Sequence, residues 1–171
     1  YAYRPLQNVF LSKASRIVCT SSAYLETSPV LKDYHKTTLA IPLGLDDKMY
    51  KTASAEFLEK WNKKIGGPFF LFMGVLRHYK GVDILLNAIK GTGVKLVIAG
   101  TGSELSNLLK KAKILKLDNV IFTGPFDDMD RAALLSLCKC IILPSIYRSE
   151  AFGLVLLEAA MQSKPLISTE L

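Results

Sequence analysis

The chain has 171 residues, half of them hydrophobic, and carries 22 lysines and arginines against 15 acids for a formal charge of +7. That is enough chain to bury a real core, and it holds neither a charge run of the kind that keeps a segment unfolded nor an apolar run near the ~20 residues of a membrane-spanning helix. The positive balance suits an anionic partner such as nucleotide phosphates or an anionic membrane surface, and the lack of basic stretches interleaved with aromatics speaks against a nucleic-acid partner.

Along the chain, residues 6–14 can form a helix and 16–20 a short strand, with Ser21 or Ser22 placed to cap the next segment. Ser28-Pro29 restarts a helix through Tyr34, and residues 38–42 are extended and lead into Gly44. Two strands do not make a domain, so 1–46 is read as the tail of a preceding α/β half. Residues 47–67, with a helix over 54–64, are read as linker and connecting helix. The chain opens on Tyr1 rather than Met and shows no signal-peptide pattern, as expected for a piece of a longer protein.

From Pro68 the order is clearer. Residues 69–73 form a continuous apolar run ended by Gly74, a buried-strand pattern. A helix over 80–90 follows with Leu85, Ala88 and Ile89 at helical spacing. A second strand over 94–99 ends at Gly100. Ser103 can cap a helix that turns Leu105, Leu108, Leu109, Ala112 and Leu115 inward and leaves Lys110, Lys111 and Lys113 largely elsewhere. A third strand, 119–123, ends at Gly124-Pro125, and Asp127 or Asp128 can start the next helix. Residues 140–143 form a fourth strand stopped by Pro144. The helix over 152–163 is nearly all apolar and is expected to be buried on most sides. Residues 166–168 begin a fifth strand. Apolar, non-alternating strands separated by helices indicate an α/β fold, a Rossmann-like parallel sheet with helices on both faces, here incomplete over 68–171. The common strand order is 3-2-1-4-5, with a ligand crevice between strands 1 and 4.

The three cysteines, Cys19, Cys138 and Cys140, are an odd count in a chain without a secretory signal, which indicates reduced thiols in a cytoplasmic compartment. Cys138 and Cys140, if both lay in a strand, would point to one face, and buried thiols are expected there rather than a metal site. Two histidines leave little for zinc.

The chemistry-bearing residues fall in the loops after strands 1 and 4. After strand 1, Arg77 can grip a diphosphate as a planar fork and Lys80 as a point charge. After strand 4, Gly153 sits where a helix N-terminus presents free N–H groups to an anion. Glu150 precedes that helix and Glu158 lies about two turns on; carboxylates accept paired hydrogen bonds from vicinal hydroxyls of a sugar or ribose. Glu158 stands amid Val155, Leu156, Leu157, Ala159 and Ala160, so it must find a partner. Gly100-Thr101-Gly102 does not complete a dinucleotide fingerprint, because position 105 is leucine. No nucleophile–histidine–acid arrangement is present.

These residues resemble the retaining glycosyltransferases of family 4, which have the GT-B fold of two facing Rossmann-like domains. The resemblance runs from about Arg16 to the end. It rests on Pro144-Ser145, Glu150-Ala-Phe152-Gly153-Leu154, Glu158-Ala159 and Lys164-Pro165, an E-x7-E signature with its surroundings. Gly74 with Lys80-Gly81, Gly100-x-Gly102, Phe122-x-Gly124 and Ile41-Pro42-x-Gly44 support it. The residues around Arg77 and at 168–171 look most like mannosyltransferases of bacterial O-antigen assembly.

The resemblance implies the donor-binding half of an enzyme that moves a sugar, mannose from GDP-mannose by preference, to a saccharide or lipid-linked acceptor with retention. It implies no metal or other cofactor. Arg77 and Lys80 would bind the diphosphate, and Glu150 the sugar hydroxyls beside the N–H groups of Phe152 and Gly153. Leu154 and Val155 amides would meet the phosphate, and Glu158 the ribose. Gly124, Pro125 and Phe126 would lie near the base. Many relatives place arginine immediately after the glycine of Gly74, where this chain has Val75. The catalytic group is expected in the half that these residues do not include, and the enzyme in the cytoplasm or on the inner membrane face. The competing reading is a non-catalytic interaction module that docks through the lysines of helix 103–116.

Overall fold

The computed structural model describes residues 3–46, 48, 50–147, 150 and 153–170. The chain divides into two compact units, Tyr1–Gly44 and Leu45–Leu171. The first holds α1 (Arg4–Ser12), β1 (Ile17–Cys19), α2 (Ser22–Thr27), a 3-10 turn over Leu31–Tyr34 and β2 (Thr38–Ala40). Strands β1 and β2 pair in parallel with Ile17 opposite Thr38. Ser21 caps α2 by accepting the Tyr24 N–H at 3.0 Å. The helix expected after Ser28-Pro29 is only that single 3-10 turn; the Ser28 hydroxyl accepts the Leu31 N–H and fixes a turn rather than a full α start.

The second unit runs α3 (Ala55–Ile65), β3 (Phe70–Met73), α4 (Val82–Ile89), β4 (Leu96–Ala99), α5 (Leu105–Ile114), β5 (Val120–Gly124), α6 (Asp128–Leu137), β6 (Cys140–Leu143), α7 (Leu154–Met161) and β7 (Leu166–Ser168). Its sheet is ordered β5-β4-β3-β6-β7 and every pair is parallel. Counted from β3, this is the expected 3-2-1-4-5. The strands read as continuous apolar runs because both faces are covered. Leu71, Met73, Val97 and Ile141 face Trp61, Ile65, Ala133 and Leu134 of α3 and α6. Phe72, Leu96, Ile98 and Ile142 face Val82, Leu85, Leu86 and Leu108 of α4 and α5. Each fully buried large aliphatic or phenyl side chain contributes about 1.5–3 kcal/mol relative to exposure. A net backbone hydrogen bond contributes roughly 1 kcal/mol, so the two faces decide the register.

Several expectations are corrected. The helix expected over 54–64, within the segment read as linker and connecting helix, also packs into the core: Trp61 is 3% exposed, and its Nε1 donates to Asp130 Oδ1 at 2.8 Å beside Lys60 Nζ at 2.7 Å. Helix α4 buries Leu86 rather than Ala88, and α5 leaves Leu109 outside the core and starts from Glu104 rather than Ser103. Helix α7 is not buried on most sides. Only Ala159 is buried, and Leu154, Leu157 and Met161 are exposed. The cause is position: α7 packs on β6 and β7, and β7 is an edge strand exposed along its length. Cys138 and Cys140 do not share a face, because Cys138 caps α6 and lies in one core while Cys140 starts β6 and faces the other. Both are buried free thiols, and burial pushes the Cys138 thiol up to about 11. No helix among the described residues is long and apolar enough to cross a membrane.

Candidate functional site

In a parallel sheet, ligands collect at the carboxyl ends of the strands where the strand order reverses. That point lies between β3 and β6, and the structure ties their outgoing loops together. Gly81 has φ +65°, and a Cβ there would stand 2.0 Å from the Pro144 carbonyl oxygen. Only glycine combines that left-handed backbone with so close an approach. The Ile146 N–H donates to the Tyr79 carbonyl at 2.8 Å. On the other side Leu76 donates to the Thr101 carbonyl and accepts from the Glu104 N–H, so the loop after β3 is held between those after β4 and β6.

This clasp brings Lys80 and Glu150 together. Lys80 Nζ pairs with Glu150 Oε2 in a mostly buried contact. The Ser145 hydroxyl donates to the same oxygen at 3.0 Å, with Ser145 itself 1% exposed. The Thr169 hydroxyl donates to the Ser145 carbonyl, so the chain after β7 also braces the loop. Arg77 is exposed at the tip of the loop, as the residue before the 3-10 turn His78–Lys80. Its side chain has no partner among the described residues and is available to a ligand. Gly153 precedes α7 as its N-cap, so the Leu154 and Val155 N–H groups have no acceptor inside the helix. Phe152 lies outside the described residues.

Glu158 belongs to a second cluster. Its side chain is 11% exposed and lies 3.9 Å from Arg131 Nη1, while the Tyr50 hydroxyl donates to its Oε1 at 3.4 Å. Burial raises its pKa above the ordinary glutamate value, against the pull of Arg131 and the Tyr50 hydrogen bond. Both partners are long by hydrogen-bond standards, which leaves the carboxylate free capacity. Arg131 also lies 3.7 Å from Asp128 and 5.8 Å from the centre of the Phe126 ring. It therefore links Glu158 to the segment Gly124, Pro125 and Phe126 at the end of β5. Tyr50, Lys51, Asp128, Arg131 and Glu158 line one pocket.

Glu150 and Glu158, one before the helix and one about two turns along it, thus have separate partners: Glu150 faces the loop after β3, and Glu158 faces α6 and the segment before α3. Sequence reasoning missed Ser145 as a partner of Glu150, and Arg131 and Tyr50 as partners of Glu158. The signal for Ser145 was its place beside Pro144 at a strand end. Tyr50 and Arg131 carried none, because their meeting with Glu158 spans 108 and 27 positions of chain.

Residues 53–170 match the family model described as Glycosyl transferases group 1. The chain is 47% identical over 169 residues to the D-rhamnosyltransferase WbpZ of Pseudomonas aeruginosa, covering 99% of this chain and 44% of that protein. It is 40% identical over 169 residues to the O-antigen chain mannosyltransferase C of Escherichia coli, covering 99% and 45%. The chain therefore spans under half the length of either relative. Among solved structures, Anabaena HepE in complex with UDP and glucose shares the fold with a TM-score of 0.77 at 24% identity, over 96% of this chain and 47% of that one.

Proposed function

The chain belongs to the glycosyl transferases group 1 family, and from that premise we propose that its second unit is the donor-binding part of a glycosyltransferase of O-antigen or related polysaccharide assembly. The observation that carries this reading is the Lys80–Glu150–Ser145 cluster at the strand-order reversal, beside the open N-terminus of α7. Lys80 and Arg77 hold the donor diphosphate, together with the Leu154 and Val155 amides and the positive end of the α7 dipole. The diphosphate gives Lys80 a second anion and so releases part of the Glu150 carboxylate for the hydroxyls of the sugar. The sugar also meets the N–H groups of Phe152 and Gly153. Glu158 accepts from the ribose hydroxyls, and Gly124, Pro125 and Phe126 stand near the base.

The donor in this reading is GDP-mannose, transferred with retention and without a metal to a saccharide or lipid-linked acceptor in the cytoplasm. The 47% identity to a D-rhamnosyltransferase favours as a second candidate the D-rhamnose counterpart of that donor, GDP-D-rhamnose, whose sugar lacks the 6-hydroxyl of mannose. The group that drives transfer lies outside these 171 residues, so the chain binds donor but does not turn it over. Calorimetric titration with GDP, GDP-mannose, GDP-D-rhamnose and UDP-glucose tests the reading. A guanosine preference is expected, and Lys80→Ala and Glu158→Ala should each lower affinity about tenfold or more. Absence of nucleotide binding in both this chain and its full-length parent would end the proposal, and sugar transfer by the chain alone would place the driving group within it.

A further inference from the structure

All five strands of the second unit's sheet run the same way, so every strand begins at one edge and α3 to α7 lead back to that edge. The segments there, residues 62–69, 90–95, 113–119, 138–139 and 162–165, hold eight lysines, no arginine and one acid, Asp118. The whole chain has a formal charge of +7, so this edge alone carries an excess equal to that of the entire molecule. None of the eight lysines has a carboxylate partner among the described residues.

Three of the eight have structural tasks. Lys95 Nζ donates to the Ile65 and Gly66 carbonyls at 2.6 Å, and Lys164 Nζ to the Ser136 carbonyl at 2.6 Å. Both satisfy carbonyls at helix ends. Lys64 Nζ lies 4.6 Å from the centre of the Trp61 ring. The remaining five, Lys63, Lys90, Lys113, Lys116 and Lys139, are exposed. Helix-dipole complementarity explains a lysine in a last turn, but not the apolar side chain exposed among them. Ile114, between Lys113 and Lys116, is 78% exposed at the end of α5. Lys116 follows as the left-handed stop of α5, with φ +54° and the Leu117 N–H donating to the Ala112 carbonyl at 3.0 Å, the usual way a helix ends.

We propose that this edge, on the opposite side of the sheet from the donor cluster, is a docking surface for an anionic lipid bilayer, with the five lysines facing the headgroups and Ile114 entering the interface. Lysines act as point charges suited to a diffuse negative surface potential, and an exposed aliphatic among them adds apolar burial. A nucleic-acid surface draws on arginine forks and exposed aromatic platforms, and this edge has neither. The surface differs from one centred on Lys110 and Lys111, because Lys111 Nζ is tied to the Asp83 carbonyl at 2.8 Å.

The test is flotation of the 171-residue chain with vesicles of phosphatidylcholine alone and of phosphatidylcholine with phosphatidylglycerol in equal parts. Binding to the anionic vesicles only, weakening as salt is raised, is expected. Lys113→Glu with Lys116→Glu should lower partitioning at least ~10-fold. Lys32→Glu with Lys36→Glu, the same charge change on exposed residues of the first unit, should leave it nearly unchanged. Lys90→Gln with Lys139→Gln gives a second, milder pair whose unchanged melting establishes folding, and it too should weaken binding. The proposal is overturned by no binding to anionic vesicles, by equal losses in the face and control variants, or by tighter binding to a mixed-sequence DNA duplex than to the vesicles.

Discussion

Glu158 shows how a carboxylate that burial makes costly to the fold can be tested for the ligand role proposed for it. Its pKa is raised by burial, so folding shifts its balance toward the protonated form relative to the unfolded chain. Ionising it subtracts stability as pH rises from the ordinary glutamate value through the raised one. Glu158→Gln should therefore melt no lower than the parent at neutral pH, yet bind nucleotide more weakly. Calorimetry across acid pH should show affinity of the parent falling as Glu158 takes up its proton, from a higher pH than an ordinary glutamate would give, and no such step in Glu158→Gln. An unchanged pH profile in the variant would remove Glu158 from the ribose. Ser145 acts through Glu150, so Ser145→Ala should weaken donor binding about 3- to 10-fold. Gly81 meets both a left-handed φ and the Pro144 carbonyl. Gly81→Ala should lose roughly 1–3 kcal/mol in chemical denaturation, and a neutral result would mean the two loops can part freely.

At the scale of elements, α3 and α6 share one acceptor in addition to their apolar packing. Asp130 Oδ1 takes hydrogen bonds from both Lys60 and the buried Trp61 indole. Burial alone would raise the Asp130 pKa, but the bonds from Lys60, Trp61 and a backbone amide outweigh it and hold the group below the ordinary aspartate value. Its contribution is thus present above the unfolded pKa and lost as pH falls through the depressed one. Asp130→Ala strands the indole N–H and should cost about 1–3 kcal/mol in urea denaturation at neutral pH. Melting temperature should fall less steeply on acidification in Asp130→Asn than in the parent, and parallel acid curves would show that this contact does not titrate with the fold. Helix α7 carries the opposite lesson. Its apolar composition promised burial, yet Leu154, Leu157 and Met161 are exposed. Composition records a preference for neighbours, whereas packing depends on whether an element lies beside them.

At the scale of the molecule, the second unit is polarised: the Lys80–Glu150–Ser145 cluster lies where its strands end and uncompensated lysines where they begin. The two compact units meet in sequence between Gly44 and Leu45, and the exposed Lys48 comes within a few residues. Brief trypsin treatment should cut there first, read by mass spectrometry, and leave a product that retains nucleotide binding, since every residue proposed to hold donor lies beyond position 76. Loss of binding on that cut would show that the site draws on residues before Lys48.

The sequence by itself determined the strand and helix alternation, the parallel sheet and the strand order, because apolar runs of strand length bounded by glycine and proline leave few right-handed topologies. It also placed Arg77, Lys80 and Glu150 in the loops that leave β3 and β6, and Glu158 within the helix that follows β6, since motif spacing is local. Only the tertiary structure decided who meets whom. Lys80 pairs with Glu150 across 70 positions of chain, Glu158 turns to Arg131 and Tyr50, and eight scattered lysines share one edge because parallel strands all begin there. Contacts of that kind are set by sheet order and register, and their partners leave no periodicity in the chain to be read.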